Sequence, residues 1–192
     1  MKKDMLLDNY LPSYEFNEIH SVIVKASPEK VFAATKSLTP AELSPWVYRM
    51  LSIRNLPARL IGKTFMQVDG DKTFLEEFYA NDFIPLAEAP GSEIVFGLIG
   101  QFWKPTGAES VKLANPQEFL AFDHPAYAKV AANLAIVGKD GGASQLSTET
   151  RIYAPNPQVR RKFALYWRLI SMGSGFIRVL WLKAIKRKAE RL

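Results

Sequence analysis

The 192-residue chain contains no cysteine, which excludes disulfides and thiolate metal sites. Its two histidines, His20 and His124, lie far apart in the sequence, and no HxxxH or HExxH spacing occurs. A two-histidine, one-carboxylate iron site would need both to meet across the fold, so no metal is expected. There is no GxSxG nucleophile elbow and no glycine-rich phosphate loop of the GxGxxG or GxxxxGK[ST] kind. Nucleotide-dependent chemistry and a bound cofactor are therefore not expected. No Asn-X-Ser/Thr acceptor is present, and no apolar run reaches the eighteen residues of a membrane span. The opening stretch MKKDMLLDNYLPSYEF is charged, and its apolar run stops at Asp8 after two leucines, too short for a signal peptide. A cytoplasmic protein is expected.

What is present is ordinary in amount and uneven in placement. Hydrophobic residues make up 48% and charged residues 23% of the chain, as in a soluble globule of one domain. The net charge of +6 is local. Residues 157–192 hold ten Lys and Arg against Glu190 alone, which leaves the remainder with more acid than base. Such a basic face is either solvated or a contact for an anionic membrane or nucleic acid. A membrane contact would use Arg178, Lys183, Lys186, Arg187 and Lys188. Nucleic acid is not expected, because the run lacks the interleaved exposed aromatics of single-strand binders.

The same C-terminal run carries apolar residues at Val159, Phe163, Tyr166, Ile170, Ile177, Leu180, Trp181 and Ala184. Most steps are three, four or seven, one face of a long α-helix. Asn156 suits the N-cap and Pro157 the first helical position. Gly173-Ser174-Gly175 predicts a kink or break. It reads either as a tight contact with a sheet or as a gate, Gly173 and Gly175 letting the helix tilt to admit a ligand.

Ahead of this helix, residues 1–17 read as an irregular lead-in. Glu18 to Lys25 reads as a strand, followed by a helix begun by Ser27-Pro28. A second helix begins at Thr39-Pro40-Ala41-Glu42, with capping-box spacing, and runs through Trp46, Val47, Met50, Leu51 and Ile53. Strands are expected over Ile61–Val68, Glu77–Ala87, Glu93–Gly100, Glu118–Phe122, Tyr127–Gly138 and Ala143–Ala154. Ala89-Pro90-Gly91-Ser92 and Lys139-Asp140-Gly141-Gly142 are the hairpin turns. In the last strand Leu146, Thr148, Thr150 and Ile152 share an inward face, while Ser147, Glu149, Arg151 and Tyr153 share a wet one. Neighbouring Glu76 and Glu77, read as strand residues, point to opposite faces and cannot act as a pair. Asp69 and Asp71 are turn residues.

With ASPEKVFAAT after the first strand, the hairpin GKDGGASQLSTETRI and the closing helix, the sequence over about residues 18–190 resembles the START-like superfamily, also called SRPBCC or birch-pollen-allergen-like. RNLPARL, FDHPAYAK and RRKFALYWRLI resemble a bacterial branch of uncharacterised members. The resemblance implies an α+β helix-grip: a curved antiparallel sheet of about seven strands gripping the terminal helix around a cavity, in one domain spanning 18–192. It also implies a small hydrophobic ligand, such as a lipid or polyketide. No catalytic motif of the superfamily transfers to matching positions.

The residues expected to line the cavity are Phe96, Leu98, Phe102 and Trp103 at the middle strand and its exit, Thr148 and Thr150 on the last strand, and Tyr166, Trp167 and Ile170 on the helix. Each either lines a hollow or fills the core. The leading expectation is a carrier or sensor that binds its ligand in this cavity. The alternative is a cyclase- or hydrolase-like enzyme in the same place, with Tyr166, His124 or Arg168 polarising a carbonyl; that requires their polar tips to converge. His20, alternating with Val22 and Val24, is expected to point inward.

Overall fold

The computed structural model describes residues 5–47, 49, 72–104 and 109–192. A one-turn helix α1 (Leu7–Tyr10) precedes β1 (Phe16–Val24). Pro28 opens α2 (Pro28–Ser37) behind Ser27. A 3-10 turn at Pro40–Glu42 follows, the Glu42 carboxylate accepting from the Thr39 N–H at 2.8 Å. Residues 45–47 and 49 are helical. The rest of that expected helix, the strand at 61–68 and Asp69 and Asp71 lie outside the described residues.

One expected strand, Glu118–Phe122, is a helix, and so is the first part of another, Glu77–Ala87. Phe74–Ala80 forms α3, begun by a capping box in which Thr73 Oγ1 accepts from the Glu76 N–H and Glu76 accepts from the Thr73 N–H. Strand pairing therefore starts later, at β2 (Ile84–Ala89). The reading of Glu76 and Glu77 as opposed strand residues falls with it: Glu76 is a cap and Glu77 is buried. Likewise Pro116–Ala121 forms α4, with the Asn115 side chain accepting from the Glu118 N–H. The tripeptide Asn-Pro-Gln opens both α4 at Asn115 and the terminal helix at Asn156, a local start signal that outweighs the apolar run Phe119-Leu120-Ala121-Phe122.

The remaining strands are β3 (Glu93–Gln101), β4 (Glu109–Ser110), β5 (Ala128–Gly138) and β6 (Ser144–Tyr153). The described residues form one six-stranded sheet in the order β1-β6-β5-β3-β2, with β4 on β3 and every pairing antiparallel. The β5–β6 hairpin turns through Gly141 and Gly142, both at positive φ (73° and 74°), backbone that glycine adopts without a Cβ penalty. The terminal helix α5 (Pro157–Ala189) packs chiefly on β1 and α2. Asn156 Oδ1 accepts from the Gln158 N–H at 2.8 Å. The helix runs unbroken through Gly173-Ser174-Gly175. The expected break is absent, and the glycine serves a tight contact with the sheet: Gly175 is buried, and a Cβ there would press into Glu18 Oε1 and come within 3.2 Å of His20 Nε2.

Each face of the sheet has its own core. On the α5 side, Phe96, Leu134 and Leu146 of the sheet pack with Val31 of α2, Phe74 of α3 and Trp181 and Ile185 of α5. On the other side Leu7 and Leu11 of the lead-in and Phe119 of α4 cover Leu86, Val95 and Ile99. The outer face of β6 is consequently dry at two positions expected to be wet: Glu149 and Arg151 are buried. The lead-in lies over them, with Arg151 donating to the Leu11 carbonyl and pairing with Asp8.

Candidate functional site

The strand register fixes which side chains share the α5 side of the sheet. Glu18 lies opposite Thr150, His20 opposite Thr148, and Val22 opposite Leu146. Thr150 pairs with Ala132, Ala132 with Phe96, and Val130 with Leu98. Residues paired across strands point to the same face, so Phe96, Leu98, Thr148 and Thr150 share one face with Glu18 and His20.

The expected lining residues do not form one group. Phe102, Trp103, Tyr166 and Trp167 surround Phe163 near the start of α5, with ring centroids 5.7–6.5 Å away. Phe96 belongs to a second aromatic group, with Phe78 at 5.4 Å, Phe83 at 5.9 Å and Trp181 at 6.3 Å. Thr148 and Thr150 are buried, and Thr148 donates to the Asn133 carbonyl at 2.7 Å. Leu98 and Ile170 are half-buried.

Along α5, Phe163, Trp167, Ser174, Trp181 and Ile185 follow one another at steps of four or seven and share the inward line. Phe163, Trp181 and Ile185 are buried. Trp167 and Ser174 between them, with Ile170 and Ile177 beside them, are only half-buried.

On β1 the same level carries charge. Glu18 Oε1 meets His20 Nε2 at 2.7 Å, and Glu18 Oε2 accepts from Arg178 at 2.5 Å. A carboxylate only accepts, so His20 carries its hydrogen on Nε2; Nδ1 is an acceptor in the neutral ring and a donor in the imidazolium. His20 keeps 25% side-chain exposure and Glu18 16%. Glu18 and Arg178 were missed as site residues. Glu18 had a local signal, since it lies two positions before His20 and hence on its face; Arg178 had none.

The other expected polar groups are elsewhere. His124 is exposed in the loop before β5, where its Nδ1 accepts from the Ala126 N–H and its ring meets Tyr127. Arg168 is exposed, two positions and so about 200° around the helix from Tyr166. Tyr166, His124 and Arg168 therefore do not converge. Among the basic residues expected to meet a membrane, Arg178 is ion-paired to Glu18 and half-buried. Lys186 donates to the Ile23 carbonyl, and Lys188 to the Ser37 carbonyl and Glu42. Lys183 and Arg187 are exposed. Among the described residues no group of three or more His, Asp or Glu could hold a metal ion, and no helix is long and apolar enough to cross a membrane.

No family model and no curated protein matches the sequence. Solved structures do resemble it in shape. A conserved protein from Geobacillus kaustophilus aligns at TM-score 0.44 and 10% identity, over 92% of this chain and 96% of that one. The Zhui aromatase/cyclase from Streptomyces sp. R1128 aligns at TM-score 0.33 and 12% identity, over 92% and 94%. Ara h 8.0201 aligns at 0.30 and 12%, over 92% and 99%. At these scores the likeness extends to no activity, and the fold stands on the chain's own topology. With an antiparallel sheet ordered β1-β6-β5-β3-β2 and one long terminal helix against it, the chain has a helix-grip fold.

Proposed function

We propose that the protein binds a small hydrophobic molecule between the middle of α5 and the sheet. One observation carries this reading. Trp167, Ile170, Ser174 and Ile177 lie on or beside the sheet-facing line of α5, yet are half-buried, while Phe163 and Trp181 on that line are buried. Half-buried residues also occur on the sheet face opposite, at His20, Val22, Leu98 and Val130. In the middle of α5 Gly175 closes on Glu18 and His20 of β1, and we place the guest beside that contact, where these half-buried residues face one another; ligand sites of this kind are apolar with a few placed polar groups. Glu18, His20 and Arg178 supply those groups. A thermal-shift screen against fatty acids, sterols and polyketides tests the reading. A stabilising shift with at least one class is expected; no shift across the panel counts against it.

A second reading, a cyclase- or hydrolase-like enzyme in the same place, is favoured by the Glu18–His20 contact. An imidazole oriented by a carboxylate is the arrangement of a general base. Turnover of a polyketide or ester that His20→Gln abolishes, with ligand binding retained, would support it. Turnover unchanged in that variant would remove it.

A further inference from the structure

The outward face of α5 is apolar in the middle and cationic at both ends. Leu165, Leu169, Met172 and Phe176 are 65%, 76%, 83% and 45% exposed. Their steps of four, three and four keep them on one line for roughly 16 Å of helix. Arg161 and Lys162 lie one turn before Leu165, and Lys183 and Arg187 lie two and three turns beyond Phe176. Arg168 flanks the middle, and all five are exposed. The helix itself contains no acid, and Glu190 follows its last residue.

We propose that this face docks on an anionic phospholipid bilayer, with the four apolar side chains entering the headgroup boundary and the basic residues meeting lipid phosphates. An exposed apolar stripe of this length on a monomer marks an interaction surface, and an apolar stripe bordered by Lys and Arg is the pattern of a helix lying in a membrane interface. Charge selects the occupant. A second copy of this chain would bring cationic ends against cationic ends whichever way the two helices ran, which is repulsive. An anionic lipid surface attracts both ends at once. The docking residues differ from those expected from sequence: Arg178, Lys186 and Lys188 are engaged within the fold, and the apolar centre replaces them. The inward face of the same helix borders the proposed ligand site, which the contact itself leaves unobstructed.

The test is co-sedimentation of the full chain with vesicles of phosphatidylcholine alone and of phosphatidylcholine with phosphatidylglycerol, at low and high salt, with molar mass measured by light scattering. Binding is expected to the anionic vesicles and to weaken with salt. Leu169→Asp with Met172→Asp, both on exposed positions, should lower it about tenfold or more, and Arg161→Glu with Lys183→Glu should do so most at low salt; thermal melts confirm that the variants fold. Failure of the wild type to bind anionic vesicles overturns the proposal. So does unchanged binding by Leu169→Asp with Met172→Asp, and so does a dimer that this double variant splits, which would assign the face to a second copy.

Discussion

Arg151 Nε donates to Glu149 Oε1 at 2.7 Å on the outer face of β6, and both side chains are buried, at 1% and 5% exposure. Residues two apart on a strand share a face, and here that face is roofed by the lead-in. Arg151 also donates to the Leu11 carbonyl and pairs with Asp8, while Glu149 takes a contact from Asn17. Burial alone would lower the Arg151 pKa, but hydrogen bonds and charge from Glu149 and Asp8 hold it above its ordinary value. The pair ties β6 to the N-terminal segment.

Removing one member should cost far more than removing both. Arg151→Met leaves the Glu149 carboxylate buried without its cation, a loss of about 3–5 kcal/mol. Arg151→Met with Glu149→Leu removes the buried charge altogether and should recover most of that. Urea midpoints of the two single variants and the double variant check this; equal losses in single and double variants would contradict it.

Glu93, on the same face of the sheet, anchors the lead-in from β3. Its buried carboxylate accepts from the Leu6 and Leu7 N–H groups at 2.7 and 3.2 Å and from Asn133 Nδ2 at 2.7 Å. Glu93→Gln turns an amide donor toward one of these donors and removes the charge, with an expected loss of about 1.5–3 kcal/mol. Limited proteolysis should then cut within the first fifteen residues well before the sheet, whereas the wild type resists there.

Gly175 is held small by its neighbours. Alanine would add about 1 kcal/mol of helix propensity, but its Cβ would press on Glu18 and the His20 ring. Gly175→Ala should therefore be more favourable in a Glu18→Ala background than in the wild type. Thermal melts of the double-mutant cycle read the difference directly; equal effects in both backgrounds would contradict the contact.

Acid sensitivity has a local contribution at Glu42. Partial burial pushes its pKa up, but hydrogen bonds from Lys188 and from Thr39 outweigh this and hold it below the ordinary 4.5. The unfolded chain takes up that proton more readily than the folded one. The stabilisation is thus present above the ordinary value and lost as pH falls through the lower folded value. Glu42→Gln should flatten that part of the urea-midpoint profile between neutral pH and about pH 3, with the remaining slope unchanged.

Much of the architecture was legible because its signals are local. Asn156-Pro157 and Gly141-Gly142 set the start of α5 and the last hairpin within a few residues of chain, and both stand where expected. Where a local signal competed with apolar content, the cap prevailed: Thr73 with Glu76 made a helix of a segment read as strand, and Asn115-Pro116 did the same. The candidate site was less legible. Alternation showed that His20 faces inward, but its carboxylate partner is shared with Arg178, 160 positions away, and no spacing encodes that. The buried Glu149 and Arg151 were misread for a similar reason. Alternation says which residues share a face and is silent on what covers it, here a segment some 140 residues earlier.

The reading of a guest beneath α5 is tested most directly by native mass spectrometry of the full chain and of Ser174→Trp after exposure to the same fatty acids, sterols and polyketides. Ser174 lies midway between Trp167 and Trp181 on the inward line, so an indole there would occupy the proposed space. The wild type should carry a ligand mass that Ser174→Trp loses by about tenfold or more while remaining folded. A wild type that carries none of them, or a variant that carries them equally, would contradict the account.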